Sequence, residues 1–331
     1  MRKIALSLVV FGALAALVMP QASLAQNARS WVASNGVDGN PCTLAQPCAS
    51  FHRAIAQTND GGEINCVDQG EFGNGLNLVI SKSLTIDCEG VQGRISITTG
   101  IDAIDVTGPS DSVVVTLRGL DISGNGVGSN GIFFDTGAAL HVEKCVIHGF
   151  AAGLTGWGIA MSPADTMTTL ELFVSDTVVT NNGTSSSGGG ILIRPVLTNI
   201  VKVVMNRIEV RNNFFGIKAD ATSASGGVIN MTVRDSVSSG NASNGIVGTG
   251  HAGGPAIVMM VDRSASSHNA VGFGVIADGP LTTIRLGGSS VAGNSNGVGA
   301  TNGGALQSYG TNQINGNSND GIASLTPIGL H

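Results

Sequence analysis

A chain of 331 residues carrying 49 glycines, 11% charged residues and 4% aromatics departs from the composition of ordinary enzyme domains. A mean hydropathy of +0.27 and regularly placed Val and Ile exclude a disordered chain, which would need low hydrophobicity and high charge. The net charge of −6, or −8 once Arg2 and Lys3 are removed, leaves no basic stripe to displace counterions from phosphates, so no nucleic-acid partner is expected.

At the N-terminus, Arg2-Lys3 precede an apolar run from Ile4 to Val18, and Ser23-Leu24-Ala25 supplies the small residues that a signal peptidase reads. Residues 1–25 are therefore expected to be a secretory signal, and the mature protein to be secreted or periplasmic. No later apolar stretch approaches about 18 residues, so no membrane span is expected. Residues 26–62 read as an N-terminal cap. From Pro47 to Thr58, Phe51, Ala54 and Ile55 fall at helical spacing, which predicts an amphipathic helix covering the open end of the first coil. Gly61-Gly62 would end that helix, with the first rung starting at Glu63-Ile64.

An exported chain allows its five cysteines to pair. Cys42 and Cys48 flank a short loop and can pair locally. Cys66 and Cys88 lie 22 residues apart on two β-prone runs; stacking one run on the other would bring them to about 5 Å, within disulfide range. Cys145 is left over and reads as a buried small hydrophobe. No Cys-x-x-Cys pair or His at ligand spacing suggests a metal, and no cofactor is implied.

Residues 63–331 carry a repeat. A β-prone run ends in Asn, small or polar residues come next, and Gly with a β-branched residue restarts a strand. The Asn column is read as Asn125, Asn182, Asn212, Asn241, Asn269, Asn294 and Asn317, with Phe150 standing in once, at steps of 25, 32, 30, 29, 28, 25 and 23 residues. One such unit cannot bury its apolar face alone and must stack on its neighbours. The unit after Asn241 shows three strands: Gly245 to Thr249, Ala256 to Val261, and the run from the Asp262-Arg263 turn to His268. Three short strands per circuit predict an all-β, single-stranded parallel β-helix, a solenoid, rather than a leucine-rich repeat or a propeller. Asn suits the corner because it tolerates left-handed dihedrals and stacks its amides into a ladder. The restart glycines are Gly131, Gly158, Gly190, Gly216, Gly245, Gly274, Gly297 and Gly321. Asp176, Asn206 and Asp235, six residues before the repeat Asn, read as turn residues.

The Asn-x-x-Gly-Ile pattern over residues 64 to 325 resembles the right-handed parallel β-helix proteins of the pectate-lyase-like superfamily. The N-terminal Trp31-Val32-Ala33-Ser34, Gly36, Asp38, Pro41-Cys42, Pro47-Cys48, Phe51 and Gly61-Gly62 are similar to the leading segment of secreted bacterial β-helix proteins. The resemblance implies that fold and, for the superfamily's enzymes, action on acidic polysaccharides through calcium with an Arg base or through paired Asp residues. Those signatures are not found here. His148-Gly149 matches a hydrolase dipeptide but reads as a turn. The Gly126–Gly131 segment fits a dinucleotide pattern and Gly293–Gly297 a nucleophile elbow, yet both fall on repeat corners.

One outward column is a weak catalytic candidate: Asp135, Ser162, Arg194, Asp220, Thr249, Asp278 and Thr301, with Lys218 beside Asp220 on the same side of its strand. Arg194 and Asp220 would sit on adjacent rungs about 5 Å apart, suited to an ion pair. Trp157 and Tyr309 are the rings most able to meet a sugar, while Phe134 should point inward. Two functional readings remain. The chain is a non-catalytic β-helix offering a lateral surface to polysaccharide or cell-envelope glycan, or acting structurally; alternatively it is a polysaccharide lyase or glycoside hydrolase working on the Asp135–Asp278 face.

Overall fold

The computed structural model describes residues 26–109, 112–152, 156–164, 169–184 and 187–330, so the expected signal segment lies outside the described residues. Every third strand pairs in parallel, giving three sheets of twelve, nine and ten strands that wind as a parallel β-helix. Sheet I holds the long strands, such as Asn199–Asn206, Gly227–Arg234 and Ala256–Asp262. Sheet III holds short ones such as Glu209–Arg211 and Val237–Ser239, and sheet II those such as Phe215–Asp220 and Phe273–Asp278.

Equal register stacks like residues directly over one another. In sheet II the inward file runs Leu78, Ile104, Ile132, Ile159, Ile191, Ile217, Ile246, Val275, Val298. Each is at most 1% exposed, worth roughly 1.5–3 kcal/mol of burial apiece. Sheet III begins the same way with Ile95, Ile122, Ile147, Val179 and Val210, then turns polar at Ser238 and Ser266. Those hydroxyls stay buried because they donate to Gly245 O and Gly274 O and accept from the amides of Asn241 and Asn269.

The corner between sheets III and II carries the Asn spine, with corrections to its membership. Each backbone N and Nδ2 donates to Oδ1 of the next member through Asn182, Asn213, Asn241, Asn269, Asn294 and Asn317 at 2.8–3.3 Å. The carboxylate of Asp320 receives the last pair. The third-coil member is Asn213 and not Asn212, which lies exposed at φ +56°. The left-handed residue is the one before each spine position: Gly149, Asn181, Asn212, Gly240, His268, Gly293 and Gly316. Asn125, at φ +49°, stands outside the spine and bonds Ile97 O and Ser123 instead. Phe150 interrupts the file, contributing only its backbone N to Asn182. The restart glycines serve close approach. A Cβ on Gly216 would lie 2.3 Å from Gly245 O and 2.9 Å from Asn241 Nδ2, and Gly158, Gly190, Gly245, Gly274 and Gly297 face the next Asn in the same way.

At the other end, Asn27–Val32 forms the outermost strand of sheet I beside Thr58–Cys66. The expected helix spans Phe51–Gln57, burying Phe51 and Ala54, with Ser50 as N-cap held by Asp38. It ends at Thr58, which starts the strand, so Gly61-Gly62 lie within that strand and the expected division between residues 62 and 63 falls inside it. Disulfides join Cys42–Cys48 and Cys66–Cys88, the second with Cα atoms 4.8 Å apart on adjacent coils. Cys145 is buried, its thiol pushed up to about 12 by burial. It occupies a buried hydroxyl file: Cys145 N donates to Thr177 Oγ1, Ser236 N to Ser264 Oγ, and Ser264 N to Ser289 Oγ.

Candidate functional site

Two outer surfaces carry the polar chemistry. The first is the column on sheet II. Asp220, Thr249, Asp278 and Thr301 lie in register on successive coils. The expected ion pair with Arg194 does not form: Lys218, two residues away on the same strand, reaches Asp220 at 2.8 Å, while Arg194 stays exposed. Asp220 also accepts from Thr222 N and Oγ1 at 3.0 and 2.6 Å. Burial alone would raise this carboxyl, but the Lys218 and Thr222 hydrogen bonds outweigh it and hold the pKa below the usual value. Asp278 accepts from Thr301 and Asn302 at 2.8 and 2.7 Å. Ser162 is buried and Asp135 half-buried. Above the column, Trp157 stacks on Phe215 across Gly189, with Lys218 over the Phe215 ring. Trp157 is 8% exposed, too covered to serve as a platform, and Phe134 points inward at 0%. Among the described residues no group of three or more His, Cys, Asp or Glu is placed to hold a metal ion.

The second surface is the corner between sheets I and III. Its left-handed positions run Gly119, Lys144, Asp176, Arg207, Asp235, Arg263, Gly288, alternating in sign wherever charged. Each backbone N there donates to the neighbouring coil, for instance Asp235 N to Asp262 O and Arg263 N to Gly287 O. The alternation makes a zipper. Arg207 grips Asp176 with two bonds of 2.7 Å, Arg263 grips Asp235 with two of 2.9 Å, and Lys144 pairs with Glu89. These guanidinium bonds hold Asp176 and Asp235 below the usual carboxylate range. Asp176 and Asp235 are thus corner residues, whereas Asn206 lies one residue short of the corner that Arg207 occupies. On sheet III, His148 pairs at 2.9 Å with Asp121, which it holds below its ordinary pKa.

The zipper stops at Arg263. In the next coil Gly287-Gly288 stand where earlier coils carry Arg234-Asp235 and Asp262-Arg263. The missing side chains leave a groove of about 550 Å³. Met260 and Thr232 form its floor, Tyr309 from the last coil its far wall, and Arg234, Asp262 and Arg263 its rim. A Cβ on Gly287 would already stand 3.3 Å from the Tyr309 ring and 3.4 Å from Asp262 Oδ1. The rim is fixed: Arg263 Nη1 meets Asp262 at 2.9 Å, and Arg234 Nε lies 3.4 Å from Asp235 and 3.6 Å from Asp262. An apolar floor, one aromatic wall and preset donors and acceptors match a ring molecule with a C–H face and a hydroxyl edge. Of these groove residues sequence reasoning singled out Tyr309 alone; the signal for the others was the charge alternation over Lys144, Asp176, Arg207, Asp235 and Arg263, broken by Gly287-Gly288.

No known family model matches the chain, and no curated protein matches it. Solved structures match at the level of fold. A pectate lyase, Pel9A, superposes with a TM-score of 0.55 at 15% identity over 89% of this chain and 80% of its own. A lacto-N-biosidase of Eubacterium ramulus gives 0.46 at 11% identity over 91% of this chain and 67% of its own. The Dettilon tailspike protein gives 0.45 at 14% over 90% and 68%. The chain has the β-helix architecture seen in the pectate lyase. Its two disulfides fit an oxidising compartment, and no helix among the described residues is long and apolar enough to cross a membrane.

Proposed function

We propose that this is a secreted β-helix protein that binds glycan through the groove bounded by Tyr309 and the Arg234–Asp262–Arg263 rim. The observation that carries the reading is the groove itself, where two glycines interrupt a charged corner and a tyrosine of the following coil faces the gap. The fold shared with a pectate lyase supports it as an architecture suited to long polymers. The sheet II column, with Asp220 and Asp278 both occupied by neighbours, has a structural role in this reading. The test is retention on immobilised glycans. Binding should be lost in Tyr309→Ala and kept in Asp220→Ala; the opposite pattern would move the site to sheet II.

One observation favours the enzymatic alternative. Burial first, and then the nearby Asp102, pushes the Asp105 carboxyl up to about 6, so a group able to give up a proton stands beside a second carboxyl on the outer face of sheet II. Release of reducing or unsaturated ends from uronate polymers, abolished by Asp105→Asn, is the result that this alternative requires.

A further inference from the structure

We infer that the groove selects neutral rather than uronate-bearing glycans; this rests on the glycan-binding reading and assigns its ligand class. Every charge at the rim is already matched. Arg263 bonds Asp235 and Asp262 at 2.9 Å each, and Arg234 lies within 3.6 Å of the same two carboxylates. Two cations and two anions sum to zero at the site, on a chain whose overall charge is −6. A ligand carboxylate approaching either guanidinium therefore meets Asp235 or Asp262 at about the same range, and to bind it would have to displace one of them. A hydroxyl meets no such penalty, because it donates to carboxylate oxygens and accepts from guanidinium N–H groups without breaking the pairs. Met260 on the floor, Gly287 beside it and the ring of Tyr309 add an apolar surface for the C–H face of a sugar. Arg285, by contrast, is bonded to an amide: its Nε donates to Gln307 at 3.0 Å. It lies beyond Met260, lining the adjoining depression with Lys202 and Val258.

The experiment is calorimetric titration of the purified full chain with neutral hexasaccharides (glucan, mannan, galactan and xylan) and with uronate hexasaccharides. It is run at about 20 mM and about 500 mM NaCl, where screening lengths differ severalfold. The expected result is binding of at least one neutral ligand, changed less than about twofold by salt. That binding should weaken at least about tenfold in Tyr309→Ala and be retained in Tyr309→Phe. Gly287→Leu, which fills the gap from a different strand, should abolish it too, so that a folding defect in one variant does not decide the matter. Uronate binding that exceeds neutral binding, is lost at high salt and is abolished by Arg285→Ala overturns the inference while leaving a glycan site on this face. Failure of both ligand classes to bind overturns the glycan reading along with it.

Discussion

The two corners of each coil solve the same problem with different side chains. At the corner of sheets III and II the left-handed residue donates to a carbonyl of the next coil, as Gly240 N does to Ser267 O, and the residue after it donates to a buried amide, those of Asn213, Asn241, Asn269 and Asn294 being 0–3% exposed. At the corner of sheets I and III the left-handed residue donates to the neighbouring coil and the residue after it donates to a buried side-chain hydroxyl, as Cys145 N does to Thr177 Oγ1 and Ser236 N to Ser264 Oγ, while the left-handed side chains point outward and carry charge. The left-handed position varies at both corners, whereas the buried position after it is Asn from Asn182 to Asn317 at the first and varies through Cys145, Thr177, Ile208 and Ser236 at the second. That freedom is what lets Gly287-Gly288 open a groove without breaking the coil.

Breaking the buried corner should have the largest effect. Asn241→Ala removes the acceptor of Asn213 N, leaving it unpaired in the core, and one of the two acceptors of Asn213 Nδ2, which keeps Val179 O; the expected loss is about 3 kcal/mol in urea unfolding. The adjacent pair sharpens this. Asn213→Ala should cost as much, whereas Asn212→Gly, at an exposed left-handed position, should change stability by under about 0.5 kcal/mol. Equal losses at residues 212 and 213 would refute the assignment of the spine.

An intermediate effect is expected at Asp105. Its folded pKa of about 6 stands above the ordinary 3.8, so the folded chain holds a proton that the unfolded chain releases between those values. The stability from this group is complete below pH 3.8 and is lost as pH rises through 6. Asp105→Asn should raise stability at pH 7 by about 1 kcal/mol, allowing for its partial exposure, and leave it unchanged near pH 3; thermal melts across pH check this. The smallest effect belongs to the exposed corner. Arg263→Ala should shift the melting midpoint only slightly at low salt and not at all at high salt, since exposed pairs are screened. A salt-insensitive loss there would erase the contrast between the corners.

The inward files were readable because a period-2 alternation repeated every coil leaves one face apolar: Ile132, Ile159, Ile191 and Ile217 have no other place to go. The restart glycines were readable by position, though their cause, the next coil's Asn amide and Gly carbonyl, was not. The Asn-Asn dipeptides at residues 181–182 and 212–213 look alike in one dimension, and only the hydrogen bonds tell the left-handed member from the buried one. The Arg194–Asp220 pair was a sound inference from rung spacing, defeated because Lys218 reaches the same carboxylate along its own strand.

The sequence by itself determined the coil, its period, its three strands per turn and its apolar faces, because each arises from local pattern repeated at near-constant spacing, and both disulfides, one from a short loop and one from the rung spacing. Tertiary structure alone decided the groove. Gly287, Gly288 and Tyr309 acquire meaning only when the last coil is laid on the one before it, since a groove is the absence of side chains between residues that stacking, and not sequence distance, brings together.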